Sequence, residues 1–102
     1  MLHQELMARP RQIAHEVAQL ARQILGADID VIWFGSWPKG TAGPHADVDI
    51  AIAGSKAFPP EHLAELRALV DDLATLHEID LVDLHTVGEA FRHEILRDGI
   101  RV

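Results

Sequence analysis

Two groups of residues in this chain have the types and spacing for chemistry on phosphate. The first is Gly35-Ser36, directly after the apolar run Val31-Ile32-Trp33-Phe34. The second is Asp47-Val48-Asp49, in the next β-type run, with ten residues separating Ser36 from Asp47. Where a strand gives way to a turn or helix, backbone N–H groups point outward and attract phosphate. Gly35 has no Cβ, so the backbone can approach a ligand closely. The Ser36 hydroxyl adds a donor, and Lys39 could neutralise a phosphate. Two neighbouring carboxylates repel, and a divalent cation removes that penalty. Magnesium suits the pair, because its few carboxylate ligands leave positions for substrate phosphates. Two ions about 3.5–4 Å apart could stabilise both the attacking and the leaving oxygen. Taken singly, Gly-Ser is an ordinary helix cap and Asp-x-Asp an ordinary wet strand face. Their succession points to a nucleoside triphosphate held through metal.

These residues need elements to position them. Ile13, Val17, Leu20, Ala21 and Ile24 form one apolar stripe, so the spacing predicts a helix from Pro10 to Leu25. Pro10 suits its first turn and Gly26 its stop. Met1 to Arg9 are weakly periodic through Leu2, Leu6 and Met7, and fit an earlier turn or a frayed end. A strand follows over Asp28–Phe34, then a short helix or turn over Ser36–Ala42 and a second strand over Asp47–Ala53. Alternation puts Val48, Ile50 and Ile52 on one face of that strand, and Asp47, Asp49 and Ala51 on the other. The apolar set must face the core, so both acids stand on the opposite, open face. Pro60 to Leu76 reads as a helix, Glu78–Val87 as a third strand and Gly88–Asp98 as a closing helix with Phe91, Ile95 and Leu96 buried. Gly99 caps it, and Ile100-Arg101-Val102 could add an edge strand. The order predicts an α+β fold, a small mixed sheet with helices packed on one face.

A third carboxylate should come from the third strand, where Asp80 and Asp83 are candidates. Their odd separation points them to opposite faces, so only one can meet Asp47 and Asp49. Parity does not choose, because both are flanked by apolar residues. The other acid must be an edge residue, a helix cap or a paired group.

Composition bounds the rest. At 102 residues the chain is expected to be one domain, with little room for a second substrate-binding lobe. No apolar run approaches the ~20 residues of a membrane span, and Met1-Leu2-His3-Gln4-Glu5 does not resemble a signal peptide, so a cytoplasmic protein is expected. There is no cysteine, which excludes disulfides, thiolate catalysis and Cys-based zinc sites. The seven histidines include no H-x-x-x-H pair, which argues against zinc. A net charge of −7 argues against nucleic acid as a direct ligand. It fits a metal-borne small molecule or a basic protein partner, which the acidic helix face of Glu61, Glu65, Asp71 and Asp72 could meet. Trp33 is expected in the core, Trp37 at the mouth of the site, and Arg92 and Arg97 in solvent.

Gly35-Ser36, the ten-residue interval and Asp47-Val48-Asp49 resemble the signature of the polymerase-β-like nucleotidyltransferases. The resemblance is strongest to their minimal members, the MNT antitoxins that pair with HEPN toxins. It extends to Ile79-Asp80-Leu81-Val82, similar to the third-carboxylate strand, and to Phe91–Gly99, similar to the closing helix and glycine. It implies the nucleotidyltransferase fold, with Asp47, Asp49 and Asp80 as catalytic residues and ligands of two Mg²⁺ ions. It favours Asp80 over Asp83 and implies that Gly35, Ser36 and Lys39 hold the triphosphate of ATP. Lys39 stands where relatives often have Arg. Ala46 departs from a common Ser before the first Asp, and Trp37-Pro38 from a more flexible polar pair.

The implied function is that of an antitoxin. It transfers AMP from ATP to a hydroxyl of the partner HEPN ribonuclease, in the family a tyrosine, within a toxin–antitoxin complex. The alternatives are an antitoxin that neutralises by complex formation alone, and a nucleotidyltransferase acting on a small molecule or an RNA end.

Overall fold

A computed structural model describes residues 2–73 and 75–102, with side chains from residue 7 onward. The chain runs α1 (Leu2–Leu25), β1 (Asp30–Phe34), α2 (Ser36–Lys39), β2 (Val48–Ala53), α3 (Pro60–Asp71), β3 (Ile79–Asp83), α4 (Glu89–Asp98) and β4 (Ile100–Arg101). The strands form one sheet in the order β3-β2-β1-β4. β1 is antiparallel to β2 and to β4, whereas β2 and β3 are parallel. The parallel step requires a crossover, and α3 supplies it. The α+β class and the small mixed sheet are as the sequence predicts.

Alternation along the strands decides what each face buries. Val31 and Trp33 of β1, Val48, Ile50 and Ile52 of β2 and Leu81 of β3 form the main core with α1 and α3. α1 supplies Ile13, Ala14, Val17 and Ala21 to it, and α3 supplies Leu66 and Val70. The opposite face is not open along its whole length. Ile95 of α4, 1% exposed, packs there against Ile32, Phe34, Ala51 and Leu84. Of the three apolar residues expected on the buried side of α4, only Ile95 is enclosed; Phe91 is 42% and Leu96 47% exposed.

Several element boundaries differ from expectation: β3 ends at Asp83 instead of Val87, α2 at Lys39 instead of Ala42, and β2 starts at Val48, after Asp47. α1 starts at Leu2, so Pro10 lies inside the helix. An interior proline removes one helical hydrogen bond, but here Pro10 is itself fully buried and Met7 joins the core, which favours continuing the helix. Met1 and the side chains of Leu2 and Leu6 lie outside the described residues. α3 ends at Asp71 instead of Leu76, because Leu73 N–H already turns back to Val70 O at 3.1 Å and Leu76 is 95% exposed. Gly99 follows α4 with φ −78°, so it is not a left-handed cap. Its role is space: a Cβ there would collide with Ile32 Cγ2 and sit 2.6 Å from Ile95 O.

Candidate functional site

The register of three strands builds the centre of the site. Phe34 on β1 pairs with Asp49 on β2, and Asp49 pairs with Asp80 on β3. Directly paired residues share a face, and neighbouring strands lie about 4.8 Å apart. The Asp49 and Asp80 side chains therefore stand side by side. Asp47 lies one residue before β2 and is exposed.

Asp83 has the other fate. It pairs with Ile52 and so faces the α1–α3 side of the sheet. It is 7% exposed, and its Oδ1 accepts the His85 N–H at 2.9 Å and lies 2.8 Å from His85 Nδ1. His85 Nε2 is 2.9 Å from Gly54 O. A carbonyl only accepts, so Nε2 carries a proton in that bond. Asp83 is a paired acid holding a loop in place.

The turn after β1 meets this row from above. Gly35 has φ 85° and ψ −153°, a conformation that residues with a Cβ rarely adopt. A Cβ at Gly35 would also collide with the Asp49 carboxylate. The glycine thus makes room for an acid as well as for any ligand. α2 begins at Ser36, and Gly40 and Thr41 close it with N–H bonds to Trp37 O and Ser36 O, each 3.0 Å. The first N–H groups of a helix have no partner within it.

A cleft of about 280 Å³ lies over the row. The sheet contributes Phe34, Asp49 and Asp80, the α2 turn Gly35 and Lys39, and α4 contributes Phe91, Glu94 and Asp98. Ser36, half-buried, and Asp47 flank the cleft without lining it. Lys39 Nζ donates to Glu94 Oε1 at 3.0 Å across the cleft. The Phe34 and Phe91 rings meet edge to face, 5.9 Å between centroids.

The electrostatics are those of crowded acids. Burial lifts the Asp49 carboxyl from the usual 3.8 to about 6, and the Asp80 and Asp47 charges push it the same way. Ionising Asp49 is therefore costly until a cation arrives. The donor set is all carboxylate oxygen, which fits a hard ion such as magnesium. Among the described residues, no three His, Cys, Asp or Glu side chains are gathered closely enough to hold a metal as they stand.

Several residues sit elsewhere than the sequence suggested. Trp37 is not at the mouth; it is 1% exposed, and its Nε1–H donates to Ala46 O at 3.1 Å. His77 Nδ1 lies 3.0 Å from the same carbonyl, and its ring packs edge-on against Trp37. The departure at Trp37 thus makes a staple, through the backbone carbonyl of residue 46, that ties α2 to the chain entering β2. Arg92 is not free in solvent; its guanidinium donates to Leu84 O at 2.6 Å. Arg97 is exposed and pairs with Asp98. Phe34, Phe91, Glu94 and Asp98 line the cleft with no motif in the sequence to mark them. The i, i+4 spacing of Glu94 and Asp98 put them on one helix face, but which wall that face would form is a tertiary matter.

The fold has close structural relatives. A crystal structure of a toxin–antitoxin complex with AMP-PNP superposes with TM-score 0.68 at 23% identity, over 86% of this chain and 70% of that one. A tri-AMPylated HEPN toxin from Shewanella oneidensis in complex with MNT antitoxin gives 0.65 at 19%, over 90% and 70%. A structure described as a minimal nucleotidyltransferase gives 0.68 at 23%, over 98% of this chain and 95% of that one. At these identities the likeness is one of fold. No curated protein matches the chain. The family model for polymerase β nucleotidyltransferases matches residues 19–102, which include every side chain of the cleft. The chain belongs to the polymerase β nucleotidyltransferase family.

Proposed function

We propose that this protein is an MNT-type antitoxin that transfers AMP from ATP to a hydroxyl of a HEPN ribonuclease partner, within a complex of the two in the cytoplasm. The observation that carries the reading is the Asp49–Asp80 pair at the floor of a cleft, beneath the Gly35-Ser36 turn. The toxin–antitoxin relatives, one with an ATP analogue and one with an AMPylated HEPN toxin, support the choice of nucleotide and acceptor.

In this reading Gly35, Ser36 and Lys39 would hold the triphosphate, and Asp47, Asp49 and Asp80 would hold Mg²⁺. Bound magnesium would neutralise the acids and stabilise charge on the attacking and leaving oxygens. The acceptor hydroxyl, a tyrosine by family resemblance, attacks the α-phosphorus. A new O–P bond forms, the bond to the β-phosphate bridge breaks and pyrophosphate leaves. Asp80 takes the hydroxyl proton. The α4 wall, with Phe91 42% exposed, positions the acceptor ring.

The test is co-expression with the HEPN partner, followed by mass spectrometry of that partner. The wild type adds AMP units with ATP and Mg²⁺, and Asp49→Ala adds none. If Asp49→Ala still neutralises the toxin fully, neutralisation is by complex formation and the enzymatic account of it is wrong. Labelling of a small molecule or an RNA end in place of the toxin would reassign the acceptor.

A further inference from the structure

We propose that Glu94 is an internal stand-in for substrate phosphate, a carboxylate that latches Lys39 across the cleft until a nucleotide displaces it. The proposal rests on the reading above that Lys39 is a phosphate ligand, and it adds a residue with a role in regulating that site.

Lys39 ends α2 and Glu94 sits within α4, on opposite sides of the cleft and 55 positions apart in sequence. Their 3.0 Å contact therefore bridges two walls of the cleft in which a triphosphate would sit. The side chains are 40% and 47% exposed, so water and ligands reach the pair. Pairs this exposed are weak and easily exchanged. Asp98 lies one turn beyond Glu94 on the same helix face. Its carboxyl is held below the usual range chiefly by Arg97, and the Lys39 charge adds to that effect. Lys39 thus faces two acids of α4 as well as the Asp49–Asp80 row. Among the described residues it is the only cation that lines the cleft.

The other ion pair of α4 is different in kind. Arg97 contacts Asp98 through two nitrogens, at 3.1 and 3.0 Å, and a planar fork of that sort gives up its partner reluctantly. Lys39 makes one point contact on a flexible stem. Its partner can be replaced by any oxyanion of similar reach, and a phosphate offers more charge than a carboxylate. Glu94 then competes with substrate on entry and recaptures Lys39 as pyrophosphate departs. Affinity is lowered and release is hastened by the same contact.

The experiment measures binding of Mg-ATP and of Mg-pyrophosphate by calorimetry to the wild type, Glu94→Gln, Lys39→Met and the double variant. Glu94→Gln should bind both ligands about 2- to 5-fold more tightly, the range an exposed ion pair supports. Lys39→Met should bind more weakly, and adding Glu94→Gln to it should bring no gain. A gain that persists without Lys39 would show that Glu94 acts only through its negative field, and the latch would be wrong. Unchanged or weaker binding by Glu94→Gln would make the contact a structural tie between α2 and α4, and would also overturn it. If the wild type binds neither ligand, the phosphate role of Lys39 fails and the latch fails with it.

Discussion

The two faces of the sheet treat their acids in opposite ways. On the α1–α3 face, Val48, Ile50 and Ile52 are fully enclosed, and Asp83 has its partner within the chain, His85 at 2.8 Å. On the α4 face, Asp49 and Asp80 stand paired in register, with Asp47 near enough to add to their repulsion. Asp80 and Asp83 belong to the same five-residue strand, so composition does not separate them. What separates them is the supply of partners. A buried acid that serves the fold is satisfied locally, because leaving it unpaired is expensive. An acid pair left in mutual repulsion lowers stability and waits for a cation from outside.

The sharpest way to break this comparison is to neutralise the two acids of β3 in turn. Asp80→Asn should lower AMP transfer on the order of 10²–10³-fold, the range for losing one preorganised charge-stabilising group, with the melting temperature unchanged or raised. If Asp83→Asn gave that loss instead, the assignment of faces to roles would be wrong. Next in size is Asp83→Ala. It strands His85 and should cost about 3 kcal/mol in urea unfolding, while transfer per folded molecule stays intact. Trp37→Phe keeps a ring but deletes the indole donor to Ala46 O. It should cost about 1–2 kcal/mol and should loosen hydrogen-exchange protection in the turn after β1.

The smallest effect is pH dependence from Asp49. Its carboxyl sits at about 6 in the fold against 3.8 ordinarily. Between these values the folded chain holds a proton that the unfolded chain has lost. Folding is then proton-linked, and stability falls as pH rises from 3.8 to about 6. The full shift would be worth about 3 kcal/mol, and water in the open cleft reduces it to about 1 kcal/mol. Asp49→Asn should flatten that slope, and Mg²⁺ should restore stability to the wild type above pH 6. A slope that survives in Asp49→Asn would place the linked group elsewhere.

Much of this arrangement was legible in the residues. Period-2 alternation put Val48, Ile50 and Ile52 opposite Asp49, because a strand leaves no other choice. The Gly35-Ser36 turn was legible because a glycine there answers a backbone demand, and its positive φ meets that demand. Trp37 was misplaced, since an aromatic in a polar loop looks exposed until the Ala46 carbonyl is brought to its nitrogen. The start of α1 was not legible, because a proline rule acts locally while Met7 joins a core built with the strands and α3. Arg92 reads as solvated in the sequence because its partner, Leu84 O, is a backbone carbonyl eight residues back in the turn before α4, and a carbonyl leaves no mark on residue type.

Near-neighbour sterics and periodicity are properties of the sequence, and they determined the strands, the core face and the candidate acids of the central stretch. The pairing of Asp49 with Asp80 and not Asp83 was decided by the parallel register of β2 and β3, since parity alone allowed either. The crossing of the Asp49 face by α4, with Glu94 set against Lys39, was likewise decided only by packing, because Ile95 had to find Ile32, Phe34, Ala51 and Leu84. Register and docking depend on contacts between distant segments, and no local pattern encodes which distant segment will be the partner.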